Sequence, residues 1–144
     1  VDEANQIMQQ VEDRLKMPVL RDTAARAASA MDGFEAVTES WMAHDAQICA
    51  LALGGSYYPD HVVFLGPALP TADHNEPPPV ILKPGQGVYL RNGATSSQRA
   101  MTKCLSDCMS RLPEDWTAEP IGAEAEASLL NWDAEKYRQA LAAR

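Results

Sequence analysis

The side chains in this 144-residue chain best suited to chemistry are three histidines and three cysteines. His44, His61 and His74 are scattered, and none stands in a His-x-His or His-Glu-x-x-His arrangement. A zinc site takes about four ligands, usually with some of them closely spaced so that one turn or helix face presents them together. The spacing therefore predicts no metal site. It places His44 and His74 on the surface and gives His61, which abuts an apolar run, a structural hydrogen bond. Cys104 and Cys108 lie one helical turn apart on the apolar side of their segment, and Cys49 is remote. Read by position, the pair is predicted to be buried and structural, not a redox or metal pair. An odd cysteine count without a framework suggests reduced thiols and a cytoplasmic setting.

Other polar groups have plainer readings. Lys83-Pro84-Gly85-Gln86-Gly87 superficially suggests a phosphate loop, but it lacks a Gly-Lys-Ser/Thr ending and enters an apolar strand-like run instead of a helix, so a hairpin turn is expected. Asp60 beside His61 suggests an acid–base pair, although adjacent residues seldom point into one site. Asp133 and Glu135 with Lys136 and Arg138 read as a solvated helix face, and Trp132 and Tyr137 as packing aromatics. The formal net charge of −8 argues against nucleic-acid and anionic-membrane partners. The longest apolar runs, Ile48 to Leu53 and Val62 to Leu65, are too short to span a bilayer. Residues 1–15 read as a polar amphipathic helix, not as a signal peptide.

These groups must be held by elements legible in the pattern. Ala4, Ile7, Met8, Val11 and Leu15 give one apolar helical stripe, ended by Pro18. Residues 20–31 are rich in Ala and Arg and read as helical. Residues 35–53 continue in helical spacing with a break near His44, where Asp45 is placed to cap a helix that stops at Gly54-Gly55. Tyr57-Tyr58-Pro59-Asp60-His61 reads as a turn or a short helical start, His61 to Leu65 as a buried strand, and the stretch from Pro67 to Pro79 as a Pro-rich surface loop. Val80-Ile81-Leu82 and Val88-Tyr89-Leu90 read as a strand hairpin. Thr95 and Gln98 form a capping box ahead of a helix carrying Met101, Cys104, Leu105, Cys108, Met109 and Leu112. Two further helices fit residues 123–131 and 133–143. The expected fold class is α/β of the α+β type, a small sheet or strand hairpin packed by several helices.

Three segments then carry a resemblance. They are Tyr57-Tyr58-Pro59-Asp60-His61-Val62-Val63-Phe64-Leu65-Gly66-Pro67, Val80-Ile81-Leu82-Lys83-Pro84-Gly85-Gln86-Gly87-Val88-Tyr89-Leu90 and Leu129-Leu130-Asn131-Trp132-Asp133-Ala134-Glu135-Lys136-Tyr137-Arg138. In this order and spacing they resemble the C-terminal region of long class II aldolase/adducin-family proteins, over about residues 1–143. The resemblance implies that residues 1–17 are the last helix of an aldolase-type domain and residues 18–144 a C-terminal accessory domain. Such aldolases hold a divalent metal, usually zinc, on a His-x-His pair and a later histidine, with an acidic residue as acid/base. No position here matches that set, so no catalytic residue and no metal ligand is assigned to this chain, and zinc is expected in the catalytic domain. The unit at residues 80–112 is similar to the closing strand–turn–strand–helix of the aldolase domain. There the turn commonly carries Asn-His-Gly, so Gln86 would mark a degenerate, non-catalytic copy of the layer.

The expected function is that of an accessory region of a sugar or sugar-phosphate aldolase, partnered by the catalytic domain or by further copies of itself. Asp60, His61 and Lys83 flank the recognisable motifs and are the candidates for polar contacts. The alternative is a stand-alone acidic protein-interaction module. A small independent enzyme using Asp60 and His61 ranks behind both.

Overall fold

The computed structural model describes residues 2–15, 21–26, 28–67 and 78–142. Lys16, Pro18, His74, Pro70 and Pro77, and the side chains of Glu135 and Arg138, lie outside the described residues, so the expectations attached to them go no further. The described chain is a small α+β fold, six α-helices and a short 3-10 helix around a three-stranded antiparallel sheet.

The hairpin is where the alternating pattern put it. β2 (Val80–Lys83) and β3 (Gly87–Arg91) pair antiparallel, with Ile81 opposite Tyr89 and Leu82 opposite Val88. β1 (Phe34–Ala36) adds to the other side of β3, giving the order β1-β3-β2. Residues 35 and 36 were expected to be helical. Instead Phe34, Glu35 and Ala36 pair with Arg91, Leu90 and Tyr89, because β3 offers a free edge whose amides and carbonyls need partners. The 3-10 helix Thr38–Ala43 follows directly and lies against the hairpin. Ser40 clamps the two together, donating its hydroxyl to the Val88 carbonyl at 3.2 Å and accepting the Val88 amide at 3.0 Å.

Asp45 caps α2 (Ala46–Gly54) as its type and position require, accepting the Ile48 amide at 3.0 Å. The capping box at Thr95 and Gln98 starts α4 (Ser96–Ser110) in both of its hydrogen bonds, at 2.9 and 3.2 Å. Two further expected elements differ. The run His61–Leu65 is not a strand but most of a helix, α3 (Pro59–Leu65). A short apolar run cannot by itself distinguish a buried strand from a buried helix. The flanks decide here, since Pro59 is preorganised for a first helical turn and Gly66, at φ 93°, stops the helix. Residues 21–26 and 28–30 are irregular, not helical. The polar hooks of Arg21 hold that segment, and they outweigh an alanine-rich helix propensity worth only tenths of a kcal/mol per residue.

The core joins Trp41, Met42, Ile48, Ala52, Leu65, Val80, Leu82, Val88, Leu90, Leu105 and Met109. One face of the hairpin thus meets the 3-10 helix, α2 and α4. Ile81 and Tyr89 on its opposite face are buried as well. The stripe of α4 that enters the core is Leu105 and Met109 with Thr102 and Ser106, so Cys104 is only half-buried and Cys108 is exposed. The expectation of two core cysteines is corrected by rotation of the helix: its core face is centred on Leu105, and both thiols fall on the edge of that face. α5 (Ala123–Asn131) packs on α3, and α6 (Asp133–Ala142) follows it. Trp132 and Tyr137 are exposed and do not pack into the core.

Gly87 makes one of the closest approaches in the fold. At φ 152°, a Cβ there would lie 2.7 Å from the Ala28 Cβ and 3.1 Å from the Ser40 Oγ. Gly87→Ala should therefore cost about 2–4 kcal/mol through combined backbone strain and overpacking. Urea denaturation measures this, and a loss below about 0.5 kcal/mol, the size of an ordinary surface change, would contradict the tight contact.

Candidate functional site

α3 carries two of the three residues singled out by sequence. Its first turn, opened by Tyr58 as N-cap and Pro59, sets Asp60 half-buried and His61 fully buried. α3 packs between α4 and α5, so His61 is enclosed by helices on both sides. Lys83 is elsewhere. It ends β2 at the hairpin turn, opposite Gly87, and its strand packs on the 3-10 helix and α2. The structure therefore keeps Asp60 and His61 together on one helix and places Lys83 in a different neighbourhood.

Around His61 sits a set of polar groups that the sequence reading did not find. The Ser56 hydroxyl donates to Glu126 Oε1 at 2.5 Å, and the Ser56 amide donates to the same oxygen at 3.3 Å. Both residues are buried. The Ile121 amide donates to the Ser56 carbonyl at 2.8 Å, which fixes the chain entering α5. The Tyr58 ring is tilted against His61, with centroids 5.6 Å apart. Its hydroxyl is buried and lies beside the Cys104 thiol.

His61 was expected to make a structural hydrogen bond, and among the described residues it makes none: neither Nδ1 nor Nε2 finds a partner on them. Its side chain is fully buried, so the ring is desolvated without compensation from the described residues. That burial lowers its pKa to about 4, against a smaller upward pull from the Glu126 carboxylate. The ring is neutral at physiological pH. With no path to solvent, it cannot reach a proton on an external substrate in this conformation. The tyrosine hydroxyl is likewise pushed up, by burial first and then by the neighbouring Cys104.

An open cleft of about 460 Å³ lies between the 3-10 helix and α4, bordered by Thr38, Glu39, Trp41, Lys103, Ser106 and Arg111. Trp41 Nε1 donates to Ser106 Oγ at 2.8 Å, and Lys103 is engaged by Asp107 at 2.9 and 3.0 Å. None of Asp60, His61 and Lys83 lines this cleft. Its residues come from positions far apart in sequence and of ordinary surface type, so no local signal could have grouped them.

Among the described residues, no group of three or more His, Cys, Asp or Glu side chains is placed to hold a metal ion. The zinc implied by the resemblance thus finds no fitting ligand set on them. Gln86, the residue standing where an Asn-His-Gly turn would place a ligand, is exposed in the tight turn between β2 and β3. Among the same residues, no helix is long and apolar enough to cross a membrane. No family model, curated protein or solved structure matches the chain.

Proposed function

We propose that this chain is the C-terminal accessory region of a class II aldolase-like enzyme acting on sugars or sugar phosphates, packed against a metal-bearing catalytic domain and not catalytic alone. The observation that carries the docking part is α1 (Asp2–Leu15). This helix has a clear apolar stripe, yet it buries no residue. Ile7, Met8, Val11 and Leu15 are 53%, 57%, 42% and 66% exposed. An amphipathic helix gains most of its stability by covering such a stripe. Among the described residues, the ion pair that ties it to the rest of the fold is a long one, Arg111 to Glu12 at 3.7 Å. The sheet at residues 80–91 followed by α4 supports the further idea of a degenerate aldolase-like layer, since that unit has the strand–turn–strand–helix order.

Co-expression with a class II aldolase catalytic domain tests this. The chain should co-elute with that domain, and the double variant Ile7→Asp, Val11→Asp should abolish co-elution while leaving the far-UV circular dichroism of the rest unchanged. Zinc-dependent aldol cleavage should appear only in the complex. Cleavage by the isolated chain, or co-elution indifferent to the double variant, would overturn the proposal.

The second reading, a stand-alone acidic interaction module, is favoured by one observation of its own. Trp132, Tyr137 and Leu141 near the end of the fold are 59%, 66% and 46% exposed, on a chain of net charge −8. Self-association lost on Tyr137→Asp and retained in the α1 double variant would select this reading.

A further inference from the structure

We propose that Cys104 and Cys108 on α4 form a two-thiolate site for a soft, thiophilic monovalent cation, of which Cu(I) is the biological example. The two residues are four apart on one helix, so their side chains rise from the same face. Burial, and after it the neighbouring Cys104, pushes the Cys108 thiol up, and neither thiol is locked in the core: Cys104 is half-buried and Cys108 exposed. They line an open, mostly apolar groove with Ala100, Lys103, Asp107 and Arg111.

Helix geometry separates the two things a thiol pair can do. Cβ atoms four residues apart on a helix are about 5–6 Å apart. A disulfide requires Cβ atoms about 3.5–4.5 Å apart and a dihedral near 90°, so closing one here would unwind α4. A linear sulfur–metal–sulfur unit, with bonds of about 2.3 Å as in zinc thiolates, spans roughly 4.6 Å between sulfurs and leaves the helix intact. Thiolate ligands select soft ions such as Cu(I) over Mg(II) or Ca(II). Binding is a ligand exchange without redox change: both S–H bonds are lost, two S–Cu bonds form, and two protons are released to solvent.

A second feature points to the same place. The buried Tyr58 hydroxyl lies beside the Cys104 sulfur. Once Cys104 has lost its proton, that hydroxyl has a charged acceptor for its own, a charge-assisted hydrogen bond of the stronger kind. Lys103 and Arg111 border the groove and offset part of the added negative charge. Cys49 is separate, buried on α2, and serves as the internal control.

The test is titration of the reduced full chain with Cu(I) under anaerobic conditions against a chromogenic Cu(I) chelator. One equivalent should bind, and it should still bind in Cys49→Ser. Cys104→Ser and Cys108→Ser should each weaken binding at least 100-fold, and Tyr58→Phe by a smaller factor. Circular dichroism confirms that the variants keep their helices; Cys108 is exposed, so its serine variant is the safer of the two. X-ray absorption should report two sulfur neighbours. Copper binding indifferent to Cys104 and Cys108, no binding at all, or ready formation of a Cys104–Cys108 disulfide with α4 intact would each overturn the proposal.

Discussion

Arg21→Ala should lower the unfolding free energy by about 3 kcal/mol, and it should do so by releasing the irregular segment that precedes β1. The guanidinium bonds three partners from distant parts of the chain: Nη1 donates to Asp45 Oδ2 at 2.7 Å, Nη2 to Gln47 Oε1 at 2.5 Å and Nε to the Leu112 carbonyl at 2.9 Å. The Arg21 amide adds a bond to the Ser110 carbonyl at 2.9 Å. One side chain therefore ties the segment to the start of α2 and the end of α4. Its own exposure is only 8%, and that of Asp45 is 27%. Removing one member of a buried ion pair costs about 3–5 kcal/mol because the other charge is left desolvated. Partial exposure of Asp45 places this case at the low end.

Asp45 has two duties, and a second variant separates them. As N-cap it accepts the Ile48 amide, and as counter-ion it receives Arg21. Asparagine caps a helix about as well as aspartate but carries no charge. Asp45→Asn should therefore lose less than Asp45→Ala, the difference being the cap. Burial acts to raise the Asp45 carboxyl, but the Ile48 amide and the Arg21 guanidinium outweigh it and hold the pKa below 3.8. A carboxyl so lowered contributes stability above that value, and the contribution is lost as pH falls below it. Chemical denaturation at pH 7 and near pH 3 measures both parts. Equal stability of wild type and Arg21→Ala at pH 7 would show that the anchor carries no energy.

The second large effect is acid destabilisation through His61. Its ring is neutral in the fold down to about pH 4, while an unfolded histidine titrates near 6.5. Between these values the unfolded chain binds a proton that the folded chain refuses. Stability is therefore complete above pH 6.5 and falls as pH drops toward 4. The full difference corresponds to about 3 kcal/mol at 1.36 kcal/mol per pH unit. The window lies above the range in which Asp45 titrates, so the two are distinguishable. His61→Leu should flatten the curve between pH 6.5 and 4. It should also leave stability at pH 7 equal or higher, since an apolar side chain leaves no orphaned ring nitrogens. Urea midpoints over that pH range, followed by the emission of buried Trp41, give the measurement. An unchanged slope in His61→Leu would mean that the acid sensitivity lies elsewhere.

A good part of this protein was legible without coordinates. The capping signals at Asp45 and at Thr95 with Gln98, the helix stops at Gly54-Gly55, the hairpin around Gly85-Gln86-Gly87 and the two terminal helices are local in origin. Each depends on residues within one or two turns of one another, which is the range over which side chains compete for backbone hydrogen bonds. The α+β class follows from the same local patterns.

What sequence could not decide is whatever depends on a partner far along the chain. The run His61 to Leu65 is apolar on every side, so periodicity could not separate strand from helix. Residues 21–26 and 28–30 have the composition of a helix and form none, because Arg21 finds Asp45, Gln47 and Leu112 elsewhere. Phe34 to Ala36 became a strand because β3 had an open edge. The candidate site divides in the same way. Asp60 and His61 were visible as residue types. The seclusion of His61, the Ser56–Glu126 pair beside it and the outward turn of Cys104 and Cys108 are set by how α3, α4 and α5 pack. Local hydrogen bonding is written in adjacent residues. Desolvation and the rotation of a helix about its axis are properties of the packed molecule, and only the tertiary structure decides them.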